Sequence, residues 1–377
     1  MRDVFVMGVG MIRFGKFPEV WMEELGRQAI LGAVKDAGID PKKLMVAYCG
    51  HSHQGRVAGQ RALKQAGISG IEVVNVENAC AGGSTSFRQA YLSVAGGLYD
   101  MALAVGMEKV GGGLLPPNPE DLDGLQGRVL PGHYAMKAVR HMYEYGTTPE
   151  QLAMVSVKSH KNASLNPLAQ YQESVTLDQV LGSRMVADPL TLLQCCPTGD
   201  GAAAAILCSR KEAEQSGRPL IRVAGSVVRS GNFVGAGEDI LASPLTRETS
   251  QNAYEMASVG PQDVDVCECH DAFTIGEILH YENLGFCPRG EGGRLIQDGA
   301  TEITGTIPVN PSGGLLSKGH PLGATGIAQV VEIVRQLRGE AEKRQVETPR
   351  VGLTHTMGGA IPGLEAGACA VHIFVRD

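Results

Sequence analysis

The second half of this sequence repeats the order of motifs found in the first half. The pattern Pro-x-x-Leu-x-Val-x-x-Cys at 41–49 recurs as Pro-x-x-Val-x-Val-x-x-Cys at 261–269. The apolar run at 4–8 has a counterpart at 221–225. Each match is weak alone, but their collinear order favours an internal duplication. A chain of this kind is expected to fold into two similar halves related by a pseudo-twofold axis.

Short apolar runs alternate with amphipathic stretches along the first half. They predict strands at 4–9, 43–50, 71–76 and 100–106, and helices at 21–37 and 60–66. We interpret the run at 71–76 as a buried strand. This alternation is typical of a mostly parallel sheet that helices cover on both faces. The sequence therefore predicts an α/β fold.

Cys80 lies where the strand at 71–76 passes into the first turn of a helix. Unpaired N–H groups and the positive end of the helix dipole favour a thiolate, so this thiol is expected to ionise easily and act as a nucleophile. Gly82 and Gly83 carry no side chains and leave room for an acyl group. The alternative is an inert buried cysteine, which is common among free cysteines.

The duplication also supplies a candidate base. The helix start Cys80-Ala-Gly-Gly-Ser-Thr is echoed 240 positions later by His320-Pro-Leu-Gly-Ala-Thr. A pseudo-twofold axis would bring the turn that carries Cys80 opposite the turn that carries His320. Nucleophilic catalysis needs such an arrangement, because a thiol and a base then share one pocket.

Composition excludes several classes of protein. A net charge of −7 argues against nucleic acid or an anionic membrane as the main partner, and no apolar run is long enough for a membrane span. The N-terminus lacks the shape of a signal peptide, and nine cysteines form no regular framework, so we expect a cytoplasmic protein with free thiols. Cys267 and Cys269 are too close in sequence for a good tetrahedral site, so no metal is expected.

Four motifs together resemble the thiolase superfamily, most closely the thiolases of the sterol-carrier-protein type and their bacterial and archaeal relatives. They are the Cys80 turn, the segment 194–206, the block His270-Asp-Ala-Phe273 and the block Gly-His-Pro-Leu-Gly-Ala-Thr-Gly at 319–326. The resemblance spans nearly the whole chain. It implies a duplicated thiolase fold, five-layered αβαβα, with an inserted loop domain.

The same resemblance implies the division of the chain. Residues 1–110 with 187–209 would form the N-terminal half, and 210–377 the C-terminal half. Residues 111–186, which have no counterpart in the second half, would form an inserted loop domain that binds coenzyme A (CoA). Bases are scattered through this insertion, and four are candidates for the anionic CoA tail: Lys137, Arg140, Lys158 and Lys161. The alternative is a solvated surface on which these charges bind nothing.

The resemblance also implies the roles of the site residues. Cys80 would take the acyl group from acyl-CoA as a thioester, and His320 would activate it. His270, where other thiolases carry asparagine, would hold the thioester carbonyl oxygen of acyl-CoA. The N–H groups of Cys80 and Gly358 would form an oxyanion hole for the acyl-enzyme. For His270 and His320 the alternative is a buried, hydrogen-bonded structural histidine.

One departure from the family pattern concerns the second acid/base. Most thiolases place a second cysteine in the C-terminal Gly-rich loop, where this chain has Thr356, and some sterol-carrier-type thiolases place it in the His-Asp-x-Phe block, where this chain has Ala272. Neighbouring candidates for the proton transfer are His355, Cys269 and His270 itself.

The sequence thus predicts an acyl-CoA C-acyltransferase that cleaves or forms the carbon–carbon bond of a 3-oxoacyl-CoA through acyl-Cys80. CoA is expected as substrate or product, with no permanently bound cofactor. The acyl group could be branched or aromatic, as in an acylsuccinyl-CoA. The alternatives are a condensing synthase or aldolase-type member, and a non-catalytic acyl-CoA-binding subunit. By resemblance we expect a homodimer, and a small zinc-ribbon/OB-fold partner is possible.

Overall fold

The computed structural model describes residues 1–111, 122–233, 239–361 and 363–377. Its strands are β1 Val4–Met11, β2 Val46–Gly50, β3 Glu72–Val76, β4 Met101–Glu108, β5 Met185–Ala187, β6 Leu190–Thr191, β7 Gly201–Ser209, β8 Ile221–Arg229, β9 Val266–Glu268, β10 Val351–Gly358 and β11 Ala368–Arg376. Its helices are α1 Met22–Ala37, α2 Ala58–Gln65, α3 Gly82–Ala95, α4 Leu122–Leu125, α5 Leu130–Tyr145, α6 Pro149–Ser164, α7 Leu177–Leu181, α8 Arg210–Glu214, α9 Pro244–Ala257, α10 Thr274–Asn283, α11 Gly292–Gln297 and α12 Leu322–Arg338.

The order of strands in the main sheet shows the duplication directly. Nine strands lie in the order β3-β2-β4-β7-β1-β8-β11-β10-β9, and the two halves meet where Phe5 of β1 pairs with Arg222 of β8. Counting outward from this junction, β1, β7, β4 and β2 correspond to β8, β11, β10 and β9. In each half the second of these strands is antiparallel to its neighbours and the outer pair is parallel. A single parallel bridge between Cys267 and Val309 occupies the place of β3.

Helices divide the molecule into five layers, αβαβα. Helices α1 and α2 cover the outer face of the first half of the sheet, and α9 with α10 covers the outer face of the second half. Helices α3 and α12 lie between the halves and contact strands of both. Almost every residue of α12 is buried, as expected for a helix enclosed between two sheet surfaces. This is the duplicated thiolase fold that the motifs predicted.

The segment between β4 and β7 forms the inserted loop domain. It contains α4 to α7 and the two-stranded β5–β6 sheet, and its first residues, 112–121, lie outside the described ranges. Helix α6 begins with a capping box at Thr148 and packs on α10, on α11 and on the turn Gly314–Lys318. The insertion therefore covers the C-terminal half.

The prediction that residues 71–76 form a buried strand is wrong in one respect. Strand β3 forms, but it lies at the edge of the sheet. Its residues are partly or fully exposed. Within the described ranges it pairs with β2 alone, so its other edge has no partner strand there. Among the described residues, no helix is both long and apolar enough to cross a membrane.

Candidate active site

Glycines let the N-terminal ends of α3 and α12 come into direct contact. A Cβ atom on Gly83 would lie 2.5 Å from the carbonyl oxygen of Gly323, and one on Gly326 would lie 2.5 Å from the backbone nitrogen of Ser84. No side chain fits at either position. Because Cys80 and His320 each precede one of these helices by two residues, the contact brings them together.

Three reactive side chains meet at this contact. The Cys80 sulfur and one ring nitrogen each of His270 and His320 all lie within 4.8 Å of one another. The two imidazole rings are 5.1 Å apart and nearly perpendicular. Both histidines are buried, whereas Cys80 is partly exposed. The structure thus assembles the three residues that the motifs singled out.

Hydrogen bonds fix the tautomer of His320. The Thr325 hydroxyl donates to the carbonyl oxygen of Pro321 at 2.9 Å, so it must accept from Nδ1–H of His320, which is 2.8 Å away. With the proton on Nδ1, Nε2 keeps its lone pair and can accept a proton. Burial, followed by His270 and Lys318, holds the pKa of His320 well below its usual value, so the ring is neutral at pH 7.

A buried ion pair joins the two segments that carry the histidines. Glu268, two residues before His270, lies 2.9 Å from the ammonium of Lys318, two residues before His320. The same carboxylate accepts hydrogen bonds from the backbone and hydroxyl of Ser312. Neither charged side chain was identified as important from the sequence, because their separation in the chain hides the contact.

Two further carboxylates accept hydrogen bonds from the backbone on either side of His320. Asp271 accepts a hydrogen bond of 2.7 Å from the backbone of Leu315, in the turn before His320. Glu108, at the end of β4, accepts from the backbone of Ser52, from that of His53 and, at 3.0 Å, from that of Gly323 in the first turn of α12. A carboxylate at a helix N-terminus satisfies N–H groups that have no partner within the helix. Sequence patterns did not point to Glu108.

The expectation that Cys80 ionises easily is wrong for the free protein. Although the residue is partly accessible, burial of its sulfur, followed by the negative charge of Glu108, raises the pKa of the Cys80 thiol to about 12. Desolvation disfavours the thiolate more than the helix start stabilises it. We therefore expect a base to take the proton of this thiol when the thiol reacts, and the neutral ring of His320 is within 4.8 Å.

Gly358 lies directly against the nucleophile turn. A Cβ atom there would be 2.2 Å from the carbonyl oxygen of Asn78 and 2.6 Å from the backbone nitrogen of Ala81. The backbone at the end of β10 is therefore packed against the turn that carries Cys80, with no space for a side chain between them.

The candidates for the second acid/base lie in different surroundings. His355 is buried, and its ring is 4.3 Å from that of His280, which no sequence motif had marked. Among the described residues, the ring of His355 has no hydrogen-bond partner on either nitrogen, whereas that of His280 lies within hydrogen-bonding reach of the backbone of His270. His270 lies close enough to both rings to influence their pKa values, and its own ring belongs to the reaction centre. Thr356 faces the other way, and its hydroxyl bonds to that of Ser84 at 2.6 Å.

The four bases of the insertion do not share one environment. Lys158 is wrong as a ligand of the CoA tail, because its side chain is buried and bonds to Glu277, to Tyr281 and to the carbonyl oxygen of Val309. Arg140 and Lys161 are exposed, and their heads pair with Glu144 and Glu302. Lys137 is partly buried and has no ion pair within the described ranges.

An aromatic pair from the insertion also reaches the site. The ring of Tyr134 stacks on that of Phe273 with centroids 4.4 Å apart, and Phe273 follows His270 by three residues. Burial, followed by the nearness of the Cys80 and Cys196 sulfurs, raises the pKa of Tyr134 to about 12. Tyr134 was not a candidate from the sequence, because nothing in its local pattern marks it as close to Cys80.

The cluster of Cys80, His270 and His320 is also the group of side chains that could hold a metal ion in the described part of the chain. A thiolate and two imidazoles suit a soft divalent cation such as Zn²⁺. The hydrogen bonds around these side chains serve equally well for a thiol and a base, so the absence of a resident metal stays a prediction.

A nucleophilic thiol, a neutral imidazole beside it and a second imidazole on the far side define the class of covalent acyl-transfer enzymes. The chain matches the profile of the thiolase N-terminal domain over residues 4–115 and that of the thiolase C-terminal domain over residues 228–365. It belongs to the thiolase family and is a thiolase-type acyl-CoA acyltransferase.

Individual relatives match nearly the whole chain. An acetyl-CoA acetyltransferase of Methanothermobacter thermautotrophicus is 46% identical over 100% of both chains. The benzoylsuccinyl-CoA thiolase subunit BbsB of Thauera aromatica is 43% identical over 95% of each. Sterol carrier protein 2 of Bos taurus is 40% identical over 94% of this chain and 70% of its own. The solved structure of an Ltp2-ChsH2(DUF35) aldolase superposes with a TM-score of 0.87 at 26% identity, covering 100% of this chain and 98% of its own.

Proposed function

We propose that this protein cleaves or forms the carbon–carbon bond of a 3-oxoacyl-CoA through an acyl-Cys80 thioester. The observation that carries the proposal is the approach of the Cys80 sulfur and the two histidine nitrogens to within 4.8 Å. Among the relatives, the name of the Thauera protein contains benzoylsuccinyl-CoA. A branched or aromatic acylsuccinyl-CoA is therefore one candidate substrate for this chain.

In the cleavage direction, Nε2 of His320 takes the proton of Cys80 as the sulfur attacks the 3-keto carbon. The bond between C2 and C3 then breaks, and its electron pair stays on C2 as the enolate of the shorter acyl-CoA. His270 donates a hydrogen bond to the thioester oxygen on which that charge develops. The N–H groups of Cys80 and Gly358 bind the oxygen of the tetrahedral intermediate on the sulfur.

A second proton must reach C2, and CoA must later lose its thiol proton. We assign both proton transfers to His270, with the neighbouring imidazoles of His280 and His355 as further groups that can carry a proton. This arrangement would replace the second cysteine.

The CoA tail carries phosphates, and the net charge of −7 does not attract them at long range. We propose that the insertion 111–186 receives the tail, with Arg140 and Lys161 as exposed bases. Replacing both by glutamine should weaken CoA binding and reduce its salt dependence. If the double variant binds CoA like the native protein, the tail lies elsewhere.

The decisive experiment is to weigh the intact protein after brief exposure to acetyl-CoA and to map the modified peptide. We expect one acetyl group on Cys80, none in Cys80→Ala, and normal labelling in Cys196→Ala. Acetylation that persists in Cys80→Ala would overturn the assignment. Binding without any adduct would favour the non-catalytic subunit.

A second candidate function is aldolase-type carbon–carbon cleavage. It is favoured by the missing second cysteine and by the likeness to a solved aldolase structure with a TM-score of 0.87. An aldolase needs no acyl-enzyme, because its product leaves as an aldehyde or ketone. If Cys80→Ala still splits a 3-hydroxyacyl-CoA, the aldolase interpretation is correct and the thiolase interpretation is not.

We also propose a homodimer and a small partner subunit. The open edge of β3 exposes Val73, Val74 and Val76 in part, and an open strand edge readily pairs with a second copy. The Thauera relative is named as a subunit, and the name of the solved aldolase joins Ltp2 to ChsH2(DUF35). Light scattering on the isolated chain should give twice its 39.8 kDa, and a monomer would contradict the pairing at β3.

A further inference from the structure

Lys137 carries a charge that no anion in the described part of the chain neutralises directly. Its ammonium lies 5.5 Å from the ring centroid of Tyr134, and the side chain is partly buried. The nearest acidic influence is Glu365, but that carboxylate already accepts hydrogen bonds from the Ser243 hydroxyl and, at 2.7 Å, from the backbone of Leu245. Burial lowers the pKa of Lys137, so its charged form is costly without a partner.

The surroundings of Lys137 connect it to the reaction centre rather than to the outer surface. Tyr134, under its ammonium, stacks on Phe273, and the backbone nitrogen of Cys196 bonds to the carbonyl oxygen of Ala272 beside it at 2.9 Å. On the other side Lys137 is close enough to the buried ring of His280 to act on it electrostatically. The rings of Tyr134, Phe273 and His280 thus connect Lys137 to the reaction centre.

We propose that Lys137 binds a carboxylate carried by the acyl part of the substrate, so that the enzyme selects acyl-CoA esters with a second, free acid group. The proposal rests on the thiolase function above and names the substrate class of that site. A carboxylate beside the ammonium would restore its charged form and supply the missing anion. Tyr134 and Phe273 would bind the apolar carbons of the same acyl group.

This proposal differs from the role of Lys137 as a base for the CoA tail. A tail contact would serve every CoA ester equally. A carboxylate contact serves only esters with a free acid group, such as succinyl-CoA, and not neutral esters of similar size, such as butyryl-CoA.

The test is calorimetric binding of succinyl-CoA and butyryl-CoA to the Cys80→Ala protein, in which no acyl group can be transferred. With Lys137 present we expect succinyl-CoA to bind more tightly. Lys137→Gln should weaken the binding of succinyl-CoA about ten- to a hundredfold and the binding of butyryl-CoA less than twofold. A hydrogen bond to a charged group contributes to binding on that scale. Lys137→Arg should keep the preference, and Lys64→Gln, at an exposed lysine of α2, should change neither ligand.

Each other outcome overturns the inference. If Lys137→Gln weakens the binding of both esters equally, Lys137 contacts the CoA tail. If it changes the binding of neither ester, Lys137 has only a structural role. Thermal unfolding of each variant shows whether the fold is intact. The thiolase function fails separately, when the native protein forms no acyl-Cys80 with either acetyl-CoA or succinyl-CoA, and this does not depend on which ester binds more tightly.

Discussion

At the scale of single residues, the site consists of neutral groups enclosed by protein. Burial lowers the pKa of His270 to about 4 and that of His280 to about 3, and it raises that of Cys80 to about 12. No charge resides on these groups before substrate arrives. In the proposed mechanism charge appears when a proton moves from Cys80 to His320, so we expect the reaction to depend on the short distance between them.

The proton transfers after acylation should not need a second thiol. We expect His270→Ala, His280→Ala and His355→Ala to keep acetylation of Cys80 by acetyl-CoA in a single turnover. Steady-state turnover should fall by about a hundredfold in His270→Ala and less in the other two, the range for loss of one general acid or base. Single-turnover mass spectrometry beside steady-state rates measures both.

The control is Cys269→Ala, which should be nearly neutral. That thiol is fully buried, Asn310 donates to its sulfur at 3.5 Å, and burial raises its pKa well above the usual value. A collapse of turnover in this variant alone would show that a second cysteine acts after all.

At the scale of elements, contacts between α3 and α12 decide whether the two halves form one site. Backbone touches backbone there because Gly83 and Gly323 have no side chains. The turns before these helices then face each other, although 240 positions separate them in the sequence.

Adding one methyl group at this contact should therefore be costly. We expect Gly83→Ala to destabilise the fold by about 2 kcal/mol or more, since an inserted carbon must push apart two buried backbones. Gly132→Ala is the matched control, because the nearest atom to its Cβ would be 3.6 Å away, and removing a helix glycine should stabilise by about 0.5 kcal/mol. Urea unfolding measures both, and equal stability of the two variants would contradict the close contact.

The buried pair Glu268–Lys318 should behave as a positioning device. Lys318→Met alone leaves a buried carboxylate without its cation and should lower stability by about 3–5 kcal/mol. Combining it with Glu268→Gln should recover part of that loss but not the activity, because His270 and His320 lose their link.

The partly exposed pair Arg27–Glu24 gives the comparison. Arg27→Ala should cost less than about 1 kcal/mol. A Lys318→Met protein as stable as Arg27→Ala would mean that the buried pair is unimportant.

At the scale of the whole molecule, the buried histidines make stability depend on pH. Six of them have pKa values lowered by burial: His160, His270, His280, His320, His355 and His372. Unfolded histidines bind protons near pH 6.5, whereas the folded ones bind them only at lower pH, at about 4 for His270 and about 3 for His280 and His372. The unfolded state therefore gains protons first as pH falls, and stability decreases below about pH 6.5.

The expected result is a loss of several kcal/mol between pH 7 and pH 5, since each histidine contributes up to about 1.4 kcal/mol per pH unit. Two buried carboxyls, Glu268 and Asp271, oppose this effect because burial raises their pKa values. Urea midpoints across this range measure the slope. His372→Gln should reduce it, and His53→Gln, at an exposed histidine, should not. A slope unchanged in both variants would show that these rings titrate normally.

Local patterns and short motifs in the chain were enough to predict the fold and the close approach of Cys80, His270 and His320, whose catalytic roles stay predictions. Periodicity predicts strands and helices because a half-buried element must repeat its apolar positions, and the duplication predicts that Cys80 and His320 face each other. The motifs that carry these residues are short and contiguous, so they can be recognised without coordinates.

The surroundings of those residues could not be predicted in the same way. The high pKa of Cys80, the burial of Lys158, the open edge of β3 and the convergence of Tyr134, Lys137 and His280 all come from contacts between distant segments. Desolvation depends on how many protein atoms enclose a group, and a linear pattern does not contain that number. The sequence shows where a lysine occurs, but only the tertiary structure determines whether its ammonium group faces water, a carboxylate or a substrate.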